Sequence, residues 1–403
     1  MQDTMEIKMK MSRFGSSAII VLSAVWIAAC GQTVLRETIE MDTGWLYTAG
    51  DNAGYASKTA AESGFERVCI PHANVITKHA YQSEKAFQFV SWYRRHSAIP
   101  ARLSGRRVFL EFEAVSIGAE VYVNGEKAGE HQGAYTPFII NITGLVVFGE
   151  DNVIAVKVDS RAHSSVPPEG STIDFMIYGG IVRHVRMTIT DPLHIDRVFA
   201  STDNPSQTKP AAPAMNIKAR VVNQGAAVRN CRVVASITDQ NSVVVASANE
   251  SGEVPADGSH EFSLTIGTIA SAQLRGVDHP YLYTVITRVM EGETVLDGYR
   301  TRTGIRSLTM NKTDGKCYLN GTALKLRGLN RHEAYPYIGH AASRRLQRKD
   351  ADILKYDLGC NIVRTSHYPQ APDFLDRCDE IGLLVLEEVP GWMYIGNTAW
   401  KNL

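Results

Sequence analysis

Four side chains able to do chemistry, His332, Arg364, His367 and Glu388, each sit at or just after the end of an extended run. A neutral imidazole both donates and accepts hydrogen bonds. An ionised carboxylate accepts charge-assisted bonds from two hydroxyls at once, and a guanidinium beside it keeps it ionised. The set therefore suits a ligand rich in hydroxyl groups, although Arg364 also reads as half of a structural ion pair. Glu387 and Glu388 do not form an acid and base pair, because adjacent strand residues point to opposite faces. Glu388 is expected to line the site and Glu387 to meet a helix or solvent. Glu333 is the one other carboxylate placed to meet Glu388, across two strands.

The elements that must position these residues alternate. Leu324–Gly328 reads as a short extended segment, followed by the polar run Asn330-Arg331-His332-Glu333. A helix opens at Ser343, carries Leu346, Ile353, Leu354 and Leu358 on one stripe, and stops at Gly359. Cys360–Arg364 is extended again and leads into Thr365-Ser366-His367-Tyr368-Pro369. A second helix follows Pro372, with Phe374, Leu375, Cys378 and Ile381 inward and Gly382 as its stop. The run Leu383–Leu386 then reads as a buried parallel strand ending in Glu387-Glu388. Alternating strands and helices with short connections imply right-handed crossovers and a parallel sheet, and in a (β/α) barrel the chemistry collects at the carboxyl ends of the strands. The run Arg344-Arg345-Leu346-Gln347-Arg348-Lys349 is the solvated face of the first helix rather than a nucleic-acid patch.

Before this region the pattern is all β. Val108–Glu113, Ala119–Val123 and Val153–Val158 partly alternate apolar and polar residues, and Asn124-Gly125 has the chemistry of a tight hairpin turn. This reads as a β-sandwich or jelly roll over 31–193. A second stretch, 194–308, with strands at Ile217–Val222, Arg232–Thr238, Glu261–Ile266 and Thr284–Met290, has the length of an immunoglobulin-like sandwich. Residues 309–403 are then the first part of a barrel, since a complete one needs about 250 residues.

Arg327-Gly328-Leu329-Asn330-Arg331-His332-Glu333, Asn361 to Pro369 and Phe374 to Leu383 resemble the barrel opening of glycoside hydrolase family 2, which includes β-galactosidases and β-glucuronidases. Upstream, Ser91-Trp92-Tyr93-Arg94-Arg95, Val121 to Gly125, Gly133 to Phe138 and Tyr178-Gly179-Gly180-Ile181 with Arg183 resemble the sugar-binding sandwich of the same enzymes. Tyr281-Leu282-Tyr283 and Gly304-Ile305-Arg306 resemble its immunoglobulin-like domain, with Thr303 where an aromatic is commoner. The resemblance implies that His332 and His367 bind sugar and that Asp174 reaches the barrel to accept hydroxyls. By pattern alone, Asp174 is a loop aspartate closing an Asx turn. It also implies retention through a glycosyl-enzyme, which needs two carboxyls about 5 to 5.5 Å apart. In the family both are glutamates of about the fourth and seventh strands, expected beyond Leu403. The 403-residue chain is then expected to be inactive. The rival reading is a non-catalytic carbohydrate-binding lipoprotein.

The charge balance, 42 basic against 42 acidic side chains, offers no global field for nucleic acid or an anionic membrane. No cofactor motif is visible. The apolar run Ala18–Ala29 behind Arg13 is too short to span a bilayer comfortably. Its end, Ile27-Ala28-Ala29-Cys30-Gly31, resembles a bacterial lipobox. Residues 1–30 are accordingly read as a lipoprotein-type signal, with lipid on Cys30 and an exported chain held at the cell envelope. Cys69, Cys231, Cys317, Cys360 and Cys378 are widely spaced without a C-x-x-C pair, which supports neither a disulfide framework nor a zinc site. No metal ligand set stands out.

Overall fold

The structure, a computed structural model, describes residues 36–78, 83–163, 166, 175–202, 213–267, 269 and 271–390. Cys30, Asp174 and the Ala18–Ala29 run lie outside the described residues. Among those described, no helix is long and apolar enough to cross a membrane.

Two antiparallel sheets form the first sandwich. One has six strands in the spatial order Glu66–Val68, Trp45–Ala49, Val90–Ala98, Asp151–Asp159, Gly118–Val123 and Glu126–Gln132. The other has four: Glu37–Glu40, Val185–Thr190, Arg107–Phe112 and Phe138–Asn141. Period-two alternation drives the packing. In Arg107–Phe112 the side chains of Val108, Leu110 and Phe112 are buried between the sheets, where they meet Tyr93, Val121, Val156, Val185 and Met187. The expected turn closes the hairpin between Gly118–Val123 and Glu126–Gln132. Asn124 and Gly125 both take positive φ, 53° and 96°, as a two-residue turn matched to strand twist requires.

The second sandwich pairs a three-stranded sheet, Leu193–Thr202, Met215–Asn223 and Gly258–Ile266, with a four-stranded one, Val244–Val254, Arg229–Thr238, Tyr283–Glu291 and Thr294–Thr303. Met215, Ile217, Ala219 and Val221 alternate inward against Val233, Ala235, Ile237 and Val285. Val244–Val254 was not foreseen as a strand. Its inward positions are Ala246, Ala248, Glu250 and Gly252 up to Val254, which carry little hydrophobic signal.

The last region departs from expectation in detail. Leu324–Gly328 is not one strand. Thr322–Leu324 belongs to a small antiparallel sheet with Leu308–Met310 and Cys317–Leu319, and the first parallel strand is Gly328–Asn330. It pairs with Ile362–Arg364, which pairs with Leu384–Leu386, all parallel. Helix α1, Arg344–Asp352, continues as a π-helical turn through Ile353–Asp357. Its inward residues are Gln347, Ala351 and Leu354, while Leu358, expected inside, is exposed because the widened turn rotates the stripe. Helix α2, Pro372–Ile381, buries Phe374, Cys378 and Ile381 as expected and ends on Gly382 at φ 74°. No disulfide forms among the described cysteines; Cys231, Cys317, Cys360 and Cys378 are buried and Cys69 is exposed.

Candidate active site

In the parallel sheet Asn330 lies opposite Arg364, and Arg364 opposite Leu386. These three residues form one layer at the carboxyl ends of the strands, with side chains on the face turned from the helices, since Val363 of the alternate layer packs into the helix cluster. His332 and Glu388 each lie two residues beyond their strand ends and so return to the same face.

The geometry brings the expected residues together. Arg364 Nη2 donates to Glu388 Oε1 at 3.0 Å, and His367 Nδ1 stands 3.2 Å from the same oxygen. The backbone N–H of Glu388 donates to Thr365 Oγ1 at 2.9 Å, which fixes the loop that carries the carboxylate. The second oxygen, Glu388 Oε2, is buried and accepts no hydrogen bond from the described residues. It is an acceptor held in place with its demand unmet. The rings of His332 and His367 meet edge to face with centroids 5.1 Å apart, and His332 is exposed toward the opening.

Phe175 closes this cluster from the first sandwich. Its ring lies 5.6 Å from that of His332, 5.8 Å from His367 and 5.5 Å from Tyr368. An aromatic beside hydroxyl-binding groups offers an apolar face to the C–H side of a sugar ring. Sequence reasoning did not single out Phe175, although it neighbours Asp174.

A buried network beneath the rim ties the sandwich to the barrel strands. Tyr135 stacks on Tyr368 with centroids 4.0 Å apart and planes 7° from parallel. Arg183 Nη2 donates to Glu333 Oε2 at 2.7 Å and to the Pro369 carbonyl at 2.6 Å. Glu333 also accepts from Gln347 Nε2 and from the Ala371 N–H. It is 1 % exposed and committed to this network, which closes the one route by which it would have paired with Glu388 as a catalytic dyad. Glu387, by contrast, is exposed, as expected. His340 accepts or donates to Tyr368 Oη at 3.2 Å. Burial, followed by the charges of Arg183, His332 and Arg331, pushes its imidazole well below the usual range and keeps it neutral. Tyr135, Arg183 and Tyr368 all fall in motifs already noted, but their joint role is visible only once the sandwich and barrel meet.

A polar cluster at the carboxyl ends of parallel barrel strands, preceded by two β-sandwiches, is the layout of a multidomain glycoside hydrolase. The comparisons agree. Residues 73–192 match the model for the sugar binding domain of glycosyl hydrolases family 2, residues 193–306 match the family 2 model that follows it, and residues 310–398 match the family's TIM barrel domain. The chain belongs to glycosyl hydrolases family 2. It is 43 % identical over 370 residues to a β-galactosidase of Thermoanaerobacter pseudethanolicus, a match covering 91 % of this chain and 48 % of that protein. A β-galactosidase of Thermoanaerobacterium thermosulfurigenes is 38 % identical, with 92 % of this chain and 51 % of that protein covered. Among solved structures, a Bacteroides uniformis β-glucuronidase superposes with a TM-score of 0.82 at 27 % identity, covering 91 % of this chain and 44 % of that one. The chain thus spans about half the length of the curated relatives it matches.

Proposed function

We propose that this chain supplies the substrate-binding wall of a retaining β-glycosidase that acts on terminal β-linked galactose. The observation that carries the reading is the Arg364–Glu388–His367 cluster at the strand ends, with the rings of His332 and Phe175 packed against His367. Glu388 accepts a hydrogen bond from a sugar hydroxyl, His332 and His367 donate to or accept from others, and Phe175 covers the apolar face of the ring. Asp174, next to Phe175 in sequence, adds a second carboxylate. Galactose is proposed because both relatives above are β-galactosidases, although the superposed structure is a β-glucuronidase, and all three names favour a hydrolase over a non-catalytic binding protein. In the complete enzyme, two glutamates of later barrel strands serve as acid/base and nucleophile. The described strands position the sugar for them and supply neither.

The test is calorimetric titration of the purified chain with galactose, glucuronate and mannose, together with an assay on their nitrophenyl β-glycosides. We expect galactose binding that is lost in Glu388→Gln and His332→Ala, and no turnover. A folded chain that binds none of the three sugars overturns the reading. So does turnover that disappears in Glu388→Gln, because this residue would then be catalytic. Preference for glucuronate over galactose would reassign the substrate.

Export and lipid attachment at Cys30 belong to the same proposal. The short apolar run behind Arg13 and the small residues before Cys30 support it. Expression in a bacterium fed an alkyne fatty acid should label the wild-type chain and leave Cys30→Ala unlabelled.

A further inference from the structure

A second cluster of ionisable groups shares no residue with the sugar rim and lies where the first sandwich meets α2. Strands Arg107–Phe112 and Val185–Thr190 pair with Val185 opposite Phe112, so Glu113 and His184 leave the same end of the pair, and the Glu113 N–H donates to the His184 carbonyl at 3.0 Å. Asp42 follows the neighbouring strand Glu37–Glu40, and Asp373 lies in the first turn of α2. One side-chain oxygen or nitrogen from each of Glu113, His184 and Asp373 falls within 4.8 Å of the other two.

The hydrogen bonds leave this cluster short of a cation. His184 Nδ1 bonds Asp42 Oδ2 at 2.8 Å, which orients the ring and turns Nε2 toward the cluster. Nε2 is 3.3 Å from the buried Asp373 Oδ2, an ion-pair distance at which the contact lacks the angles of a good hydrogen bond. A separation near 3.3 Å is what two ligands show on a tetrahedral ion with bonds of about 2.0 to 2.1 Å. Glu113 is 7 % exposed. Its Oε1 accepts from Arg186 at 2.5 Å, while its Oε2 is buried without a partner. Leaving buried carboxylate oxygens unmet is costly.

Charge points the same way. Four carboxylates, those of Glu40, Asp42, Glu113 and Asp373, face two guanidiniums: Arg186 on Glu40 and Glu113, and Arg344 on Glu40 and 3.8 Å from Asp373. Arg183 is committed to Glu333. A metal ion on the imidazole would displace its proton, and the two negative charges then left are what one divalent ion balances.

We propose that Glu113, His184 and Asp373 bind a divalent transition cation of the zinc class, with Asp42 orienting the imidazole, and that the ion ties the first sandwich to α2. One imidazole nitrogen with two carboxylate oxygens suits zinc or manganese better than calcium or magnesium, which prefer all-oxygen sites. A carboxylate on the far nitrogen of a ligating histidine is the usual outer partner of such a site. The proposal does not depend on the sugar reading.

The experiment strips the purified chain with EDTA and titrates it separately with zinc, manganese and calcium chloride, reading bound metal by mass spectrometry and unfolding by calorimetry. We expect about one equivalent of zinc or manganese to survive dialysis and to raise the unfolding temperature. Glu113→Gln keeps the shape and remains readable if His184→Ala fails to fold; it should weaken uptake at least 100-fold. Asp42→Asn should weaken it about 10- to 100-fold, and Cys69→Ser should leave it unchanged. The proposal is overturned if the folded chain takes up neither zinc nor manganese, as it would if a protonated His184 bridges Asp42 and Asp373 by itself. It is equally overturned if calcium is preferred, or if uptake is the same in Glu113→Gln and Asp42→Asn.

Discussion

At the scale of single residues, function and stability separate. Glu388 and Arg364 are partly exposed, with side chains 20 % and 34 % accessible, so their ion pair adds little to folding. Glu388→Gln is expected to change unfolding free energy by less than about 1 kcal/mol while lowering sugar affinity at least tenfold, as read by urea denaturation and calorimetric titration. Arg183 and Glu333 behave in the opposite way. Their side chains are 5 % and 1 % accessible, and removing one charge strands the other in a low-dielectric interior. Arg183→Met should cost about 3 to 5 kcal/mol in the same denaturation experiment. Each of these charges stands close to a partner, so what distinguishes the two pairs is burial.

At the scale of elements, the rim depends on how the sandwich docks on the barrel strands. His367 sits on a loop whose neighbour, Tyr368, is held by the Tyr135 stack, by the Glu333 N–H and by His340. Tyr135→Ala removes one ring of that stack and should destabilise by about 3 to 5 kcal/mol, the usual range for deleting a buried aromatic. Galactose affinity should fall with it although Tyr135 lies under the rim. Helix α2 has a similar dependence at its other end. Gly382 holds a left-handed φ of 74°, and a Cβ there would stand 2.4 Å from the Val277 carbonyl of the second sandwich. Gly382→Ala is expected to lower stability by more than about 1 kcal/mol, through both backbone strain and the clash.

At the scale of the whole molecule, α2 is the strut to which both sandwiches attach. Its N-terminal Asp373 faces His184, and its C-terminal Glu380 binds Arg302 of the second sandwich together with Arg348 and Arg377. Burial works against ionisation of Glu380, but the three arginines outweigh it and pull the carboxyl from 4.5 down to about 2. A depressed folded-state value means that Glu380 stabilises the fold above pH 4.5 and loses that contribution as pH falls toward 2. Wild type and Glu380→Gln should therefore differ in unfolding midpoint at pH 6 and converge only as the pH reaches about 2.

Local chemistry was enough to reveal the strand alternation of both sandwiches, the Asn124-Gly125 turn, the Pro372 start and Gly382 stop of α2, and the gathering of His332, Arg364, His367 and Glu388 after parallel strands. These follow from backbone sterics and hydrophobic period, which act over a few residues at a time. The first barrel strand was misplaced because Leu324 and Leu329 carry the same apolar signal, and only sheet pairing decides which of them joins the parallel ladder. The commitment of Glu333 to Arg183, the contact of Phe175 with the histidines, and the meeting of Glu113, His184 and Asp373 were decided by tertiary structure alone. In each case the partners lie more than thirty residues apart, and no local rule brings their charges or rings into contact until separate sheets pack together.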